Sequence, residues 1–522
     1  MEMSKDIKNL FRSSIDSEST TMDAIKSITR RNDREPRSFY HVDLDEVVRR
    51  LQQWRLKMPR VHPHYAVKCN DTPAVLAALA LLGAGFDCAS RVEMKKVLGL
   101  GVAAPRIIYA HPCKIASHLK FAHAHGVSLM TFDSYEELDK ISVIYPDAEL
   151  VLRIRCDAVN VQCQLGVKFG AQPFEARALL QRAAQLNLKV VGVAFHVGSG
   201  CSEPEVFGRA IEASKQVFIE AVEEGHSPYL LDLGGGFLGD KHSSLDEAAN
   251  CINNALELHF PESSGVRVIA EPGRYMVSAA FTLATPIINR RKVLLDPASV
   301  SPPSTSGPVK SVMYFIDDGL YGSFNCVLYD HQVVKPAPLE MQLGEDRLSS
   351  VWGPTCDGFD RVIEGMLLPK SLAVGDWLVW EDMGAYTLAA AGNFNGFPLP
   401  EVMVHLKPMT RLLLEAEYEK LISGTVDSEL SSGVSSDDDC SSRASLSSSG
   451  DLPGTKCEPL ELAYQLMDSL DLDKVRRTQL VNMLFTETLQ PRRAASPRRL
   501  KTTNCSFIDF VDPTESEDDR DA

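Results

Sequence analysis

From about residue 60 to 285 the chain alternates apolar runs of strand length with amphipathic runs of helical length, and no other feature limits its fold as tightly. The strand-like runs cover 65–67, 85–87, 106–110, 129–132, 150–154, 190–196, 229–233 and 266–270. Helical patterns, for example 72–82, 134–145 and 174–186, follow most of them. A repeating strand–helix unit forms a parallel sheet whose faces the helices cover. Eight strands in about 225 residues predict a (β/α)8 barrel of the TIM type, with a doubly wound open sheet as the competing arrangement. Polar residues tip the choice. Lys68, Asp87, Arg153, His196, Gly234, Gly235, Gly236 and Glu271 all fall at or just beyond the C-terminal ends of these strands. On that face a barrel gathers residues from distant parts of the chain.

Past residue 285 the pattern changes to short strands near 312–316, 352–354 and 377–381, separated by Gly and Pro as in an all-β domain. The expected division is an N-terminal extension (1–37), the barrel (38–285), a β-sandwich or barrel-like domain (286–415) and a tail (416–522). A strand near 39–42 is expected to complete the β domain. Residues 421–522 hold 19 acidic and 11 basic side chains, half of the chain's net charge of −16. Within them, 428–449 contains 11 serines in 22 residues. Such a composition buries too little apolar surface to offset its ordering entropy, so most of the tail is expected to be disordered, with an amphipathic stretch at 459–489. Ser445 and Ser496 follow basic residues in contexts that suit kinases. The extension is also polar and is expected to be loosely held.

The acidic balance argues against nucleic-acid binding, which needs a basic footprint. The longest apolar stretch, 74–86, is too short to cross a bilayer. The first residues lack the apolar core of a signal peptide, so a cytoplasmic location is the expectation. Twelve cysteines without Cys-x-x-Cys pairs then read as reduced thiols, and no metal site is expected.

Three segments carry chemistry together. Lys68 sits in the run His-Tyr-Ala-Val-Lys-Cys-Asn (64–70), at the end of an apolar strand-like segment, three glycines follow an apolar strand at 234–236, and Glu-Pro-Gly-Arg-Tyr occupies 271–275. A lysine amine, a loop open enough for phosphate, and an acid beside an arginine are the parts that hold pyridoxal phosphate. Lys68 would form the Schiff base, Glu271 would keep the pyridine nitrogen protonated, and Gly273 and Arg274 would meet the phosphate. His196, in Phe-His-Val-Gly-Ser-Gly (195–200), would stack on the ring, with Ser199 near the phosphate. Taken singly, each has a plainer reading: a satisfied core lysine or histidine, or a surface Pro-Gly turn. In the β domain, Tyr329-Asp330-His331 and Cys356-Asp357-Gly358 offer two carboxylates for a distal ammonium and a thiol that suits a general acid.

Taken together these segments closely resemble the eukaryotic ornithine decarboxylases, pyridoxal-phosphate enzymes of the alanine-racemase-like barrel class. Gly-Phe-Asp-Cys-Ala-Ser (85–90), Val-Lys-Phe-Gly-Ala (167–171), Tyr-Gly-Ser-Phe-Asn-Cys (321–326), Trp-Gly-Pro-Thr-Cys-Asp-Gly (352–358) and Met-Gly-Ala-Tyr-Thr (383–387) extend the match over about residues 38–405. The resemblance implies a head-to-tail homodimer in which Cys356 and Asp357 reach the partner's barrel. It implies that Asp330 and Asp357 bind the δ-ammonium of L-ornithine, with Tyr329 beside them. Tyr386 and Arg274 would hold the phosphate, Asp87, Arg153 and His196 would complete the pocket, and Cys356 would direct protonation of the α-carbon. Non-catalytic antizyme inhibitors share this family, and decarboxylases of other basic amino acids are related, so both are alternatives. Antizyme binding is expected near the segment from Lys114 to Lys140, and the tail matches nothing in the resemblance.

Overall fold

A computed structural model describes residues 14–16, 18–31, 35–296, 309–342 and 345–431, with side chains to residue 421. Expectations for the serine-rich stretch beyond residue 431, the 459–489 amphipathic stretch, Ser445 and Ser496 fall outside the described residues.

Strand β1 (Phe39–Asp43) precedes the barrel strands β2 (Val61–Ala66), β3 (Gly85–Cys88), β4 (Ile107–Tyr109) and β5 (Leu129–Phe132). The barrel continues with β6 (Glu149–Arg155), β7 (Lys189–His196), β8 (Leu230–Asp232) and β9 (Arg267–Ala270). All eight barrel strands pair in parallel, and β9 returns to β2 through Val268 opposite Val61. That last pairing rules out the open sheet, whose first and last strands never meet. The strands are buried on both faces: Ile108, Val151, Ala194, Leu230 and Ile269 form an inner cluster, and the helices pack against the outer one.

The second sheet is built around β10 (Phe281–Leu294), which runs without a break from the last barrel turn outward. It pairs with β1 on one side and β14 (Trp377–Trp380) on the other. Its exposed far half pairs with β11 (Val309–Ile316), and β12 (Asp346–Trp352) and β13 (Arg361–Pro369) extend the sheet from there. Strand β15 (Glu401–Leu406) lies parallel to β1.

Two expectations need correction. The extension is not loose throughout: a helix at Thr21–Thr29 starts at the cap Thr20 and packs Met22, Ile25 and Ile28 onto Phe39, Ala284 and Val379. A three-residue apolar stripe is enough to dock a short helix once a sheet face is there to receive it. At the other end, the helix Pro408–Ser431 runs past the expected boundary at 415.

The helix Leu44–Lys57 anchors the barrel's first strand. Its Trp54 is fully buried, donates its indole N–H to the Val61 carbonyl at 2.8 Å, and meets Phe237 edge-on at 4.7 Å. Trp54→Ala removes both the packing and that donor, so we expect a loss of about 3–5 kcal/mol in urea unfolding, with the barrel still formed.

Candidate active site

The C-terminal ends of the barrel strands converge on Lys68, which sits in the single 3-10 turn Val67–Cys69 that follows β2. Its Nζ binds Asp87, a fully buried residue of β3. Desolvation disfavours the ammonium, yet the charges of Asp87 and Glu271 outweigh it and hold the Lys68 pKa above its ordinary value. Burial lifts Asp87 to about 7, with the Glu271 charge adding to the rise and Lys68 opposing it.

Glu271 follows β9, and its backbone N–H donates to the Gly234 carbonyl at 2.7 Å, which ties the turn after β9 to the one after β8. Burial first, and Asp232 second, push Glu271 well above the usual carboxylate range. Asp232, at the end of β8, accepts the Gly234 N–H at 2.9 Å through Oδ1, and its carboxyl group is coupled to that of Glu271. Two acids that share one buried site titrate as a unit. Sequence reasoning passed over Asp232. Its signal was there, a carboxylate inside the apolar run 229–233.

His196 ends β7. Burial, then Arg153 and Lys68, keeps its pKa well below the usual histidine value, so the ring is neutral. Its Nδ1 accepts the Gly198 N–H at 3.1 Å, leaving the ring proton on Nε2. Arg153, on β6, lies over the Phe169 ring at 5.6 Å. Arg153, His196 and Glu271 line a small cavity in the barrel mouth together with Thr131 and Ala110.

The phosphate-sized part of the site lies beside this group. A Cβ on Gly235 would stand 2.8 Å from His196 Nε2 and 3.0 Å from the Glu271 carbonyl oxygen, so only glycine permits that approach. Gly236, at φ +119°, has backbone geometry that other residues rarely adopt. Gly273 packs against Cys69, and Arg274 opens the short helix Arg274–Val277. The Arg274 guanidinium donates to Ser199 Oγ at 2.9 Å and to Asp330 Oδ1 at 2.7 Å, and lies 5.3 Å over the Tyr386 ring. Tyr386 takes a left-handed φ of 56°, held by its N–H donating to the Cys69 carbonyl at 2.9 Å.

Asp330 therefore belongs to the buried group, and Gln162, which sequence reasoning did not single out, donates to its Oδ2 at 3.0 Å. Cys356 and Asp357 do not. Cys356 is exposed, with its N–H on Asn395, and Asp357 binds the Tyr321 hydroxyl and accepts the Phe359 N–H at 3.0 Å. Tyr329 is 73% exposed. Among the described residues no hydrogen bond or ion pair joins these three to the Lys68 group.

The site fits pyridoxal phosphate by its own donors. Arg274 Nε and Asp87 Oδ1 are buried without a hydrogen-bond partner among the described residues, and the glycine turns leave room at the Arg274 end. Lys68 supplies the amine.

The sequence pattern described as "Pyridoxal-dependent decarboxylase, pyridoxal binding domain" matches residues 44–278. The ornithine decarboxylase of Mus musculus is 48% identical over 385 residues, covering 73% of this chain and 83% of the relative. The chain belongs to this decarboxylase family. Antizyme inhibitor 2 of Xenopus laevis is equally similar, at 48% identity over 377 residues, 72% of this chain and 81% of the relative. Among solved structures, the arginine decarboxylase of Paramecium bursaria Chlorella virus bound to agmatine superposes with a TM-score of 0.68 at 39% identity. It covers 74% of this chain and all of that one.

The carboxylate pair gives the pyridoxal-dependent decarboxylase site a pH signature. Asp232 holds its proton up to about 6 in the folded chain, against 3.8 when unfolded. The stability this contributes is complete below pH 3.8 and lost as pH rises through about 6. Asp232→Asn should remove up to about 3 kcal/mol of that loss, at about 1.4 kcal/mol per unit. Urea titrations of cofactor-free protein on either side of the window measure it. Equal pH dependence in variant and wild type would contradict the assignment.

Proposed function

We propose that this chain decarboxylates L-ornithine to putrescine and carbon dioxide with pyridoxal phosphate bound through Lys68, the entry step of polyamine biosynthesis. The observation that carries this reading is the group of half-buried Lys68 with the buried carboxyls of Asp87 and Glu271, and the Arg274–Ser199 pair beside it. Bound there, the cofactor supplies an electron sink for the bond that releases carbon dioxide. Everything else is the work of side chains. Glu271 would meet the ring nitrogen and Asp232 would tune its proton, while neutral His196 would cover the ring. Arg274, Ser199, Tyr386 and the glycine turns would hold the phosphate, Asp87 would balance the charge of the Lys68 amine, and Arg153 would complete the pocket.

The substrate's far ammonium would meet Asp330 and Asp357, and Cys356 would deliver the proton to the α-carbon. Asp357 and Cys356 reach a site only if a second chain presents them. Beside them Phe359 is 83% and Phe394 46% exposed, which suits a homodimer sharing its sites. Antizyme would contact the helices Ala116–Ala124 and Tyr135–Ile144 through their exposed residues. Lys114 itself is buried, held 2.9 Å from Glu137. Among the described residues no helix is long and apolar enough to cross a membrane, and we assign the enzyme to the cytoplasm.

Borohydride treatment of the loaded protein should fix the cofactor to the peptide containing Lys68, and Lys68→Ala should abolish carbon dioxide release from ornithine. A folded, loaded wild type that releases none is an antizyme-inhibitor-like binding protein. Asp357→Ala should lower kcat/KM for ornithine tens-fold or more, because a desolvated ammonium without its carboxylate costs about 2–5 kcal/mol. Unchanged ornithine turnover in that variant would make the substrate assignment wrong.

Mixing Lys68→Ala with Cys356→Ala chains should restore about a quarter of wild-type activity, since half of randomly paired dimers are mixed and each holds one intact site. Subunit exchange without recovery would place both residues in the same chain's site.

A further inference from the structure

Outside the barrel, four groups meet where β1 pairs with β15. In the parallel pairing of β1 with β15, Asp43 stands opposite His405 and His41 opposite Met403. Ligand-capable atoms of Asp43, Asp45 and His405 all lie within 4.8 Å of one another. The His41 and His405 rings are centred 5.2 Å apart.

The imidazoles are the anomaly. His41 is fully buried and neither ring nitrogen has a hydrogen-bond partner among the described residues. His405 is 2% exposed and its Nε2 is likewise unpartnered. Every imidazole carries at least one ring N–H or lone pair that needs a partner, and burial away from water makes the omission costly. A helix cap would explain the carboxylates alone, because Asp43 accepts the Glu46 N–H at 3.3 Å and Asp45 accepts the Lys407 N–H at 3.0 Å. Thr410 also donates its hydroxyl to Asp45. Capping leaves the histidines unexplained.

We propose that Asp43, Asp45 and His405, with His41 beside them for a fourth position, form a divalent-metal site of the zinc type. The donor set is mixed imidazole and carboxylate, which suits zinc better than magnesium or calcium with their all-oxygen shells. Bonds of about 2.1 Å would draw tetrahedral ligand atoms to about 3.4 Å apart, a closure that side-chain rotation supplies. The hydrogen bonds from Glu46, Lys407 and Thr410 then act as the outer contacts that orient liganding carboxylates. Two carboxylates would neutralise the ion. Such a site joins β1, the start of the helix Leu44–Lys57, β15 and the start of the helix Pro408–Ser431 in one clasp.

The test uses full-length, tag-free protein exposed to zinc chloride and then freed of unbound metal. Mass spectrometry of the metal should find about one zinc per chain, and chelation should lower Tm. His405→Gln and Asp45→Asn should each retain at least ten-fold less zinc. Cobalt(II) reports on the wild type even if a variant fails to fold. Ligand-field bands of tetrahedral cobalt without a sulfur-to-metal charge-transfer band are expected. A folded wild type that retains no zinc overturns the proposal. So does zinc held equally well by His405→Gln, or a strong sulfur band, which would place the metal on exposed thiols such as Cys113 and Cys356.

Discussion

One half-buried cation set among three buried carboxyl groups governs the active site. Lys68 faces Asp87 and Glu271, and Glu271 faces Asp232. Lys68 and the nearby Arg153 only partly offset the cost of burying these acids, so all three carboxyl groups have raised pKa values. Such a group is a poor source of stability, since each partner has been taken out of water. It persists because four different barrel strands, each fixed by pairing on both sides, hold its members at their ends.

The same strands decide how the two domains cooperate. Strand β10 leaves the last barrel turn and becomes the spine of the second sheet, so Asp330 and Tyr386 are carried back over the barrel mouth instead of hanging on a flexible linker. Strand β1 pairs with that spine before the chain enters the barrel. A short segment at the chain's start therefore closes a sheet built mostly from residues after 280.

Much of this was legible in the sequence because it is periodic or local. The strand–helix repeat pointed to the barrel, and Lys68, Glu271 and the glycine run stand at strand ends that hydrophobic patterning marks well. What could not be read depends on contacts across the chain. Gln162 reaches Asp330 across 168 residues, and no local pattern announces it. The helix at Thr21–Thr29 looked like polar extension because its apolar stripe is only three residues wide and gains its partner from the sheet. His41 and His405 each look like an ordinary strand histidine, and only the pairing of β1 with β15 sets them side by side.

The Arg274–Asp330 pair raises the question of whether an arginine already bonded to a carboxylate can still serve an anion. A guanidinium has five N–H donors in a fixed fork. Here one terminal nitrogen serves both Ser199 and Asp330, while Nε, also buried, has no hydrogen-bond partner among the described residues. Donors remain for phosphate without breaking the pair. Asp330 Oδ1 accepts from Arg274 and from the Cys163 thiol, while Oδ2 accepts from Gln162 alone and keeps a lone pair. Under the proposed function the pair would therefore join an anion site to a cation site, with its own two charges balanced against each other.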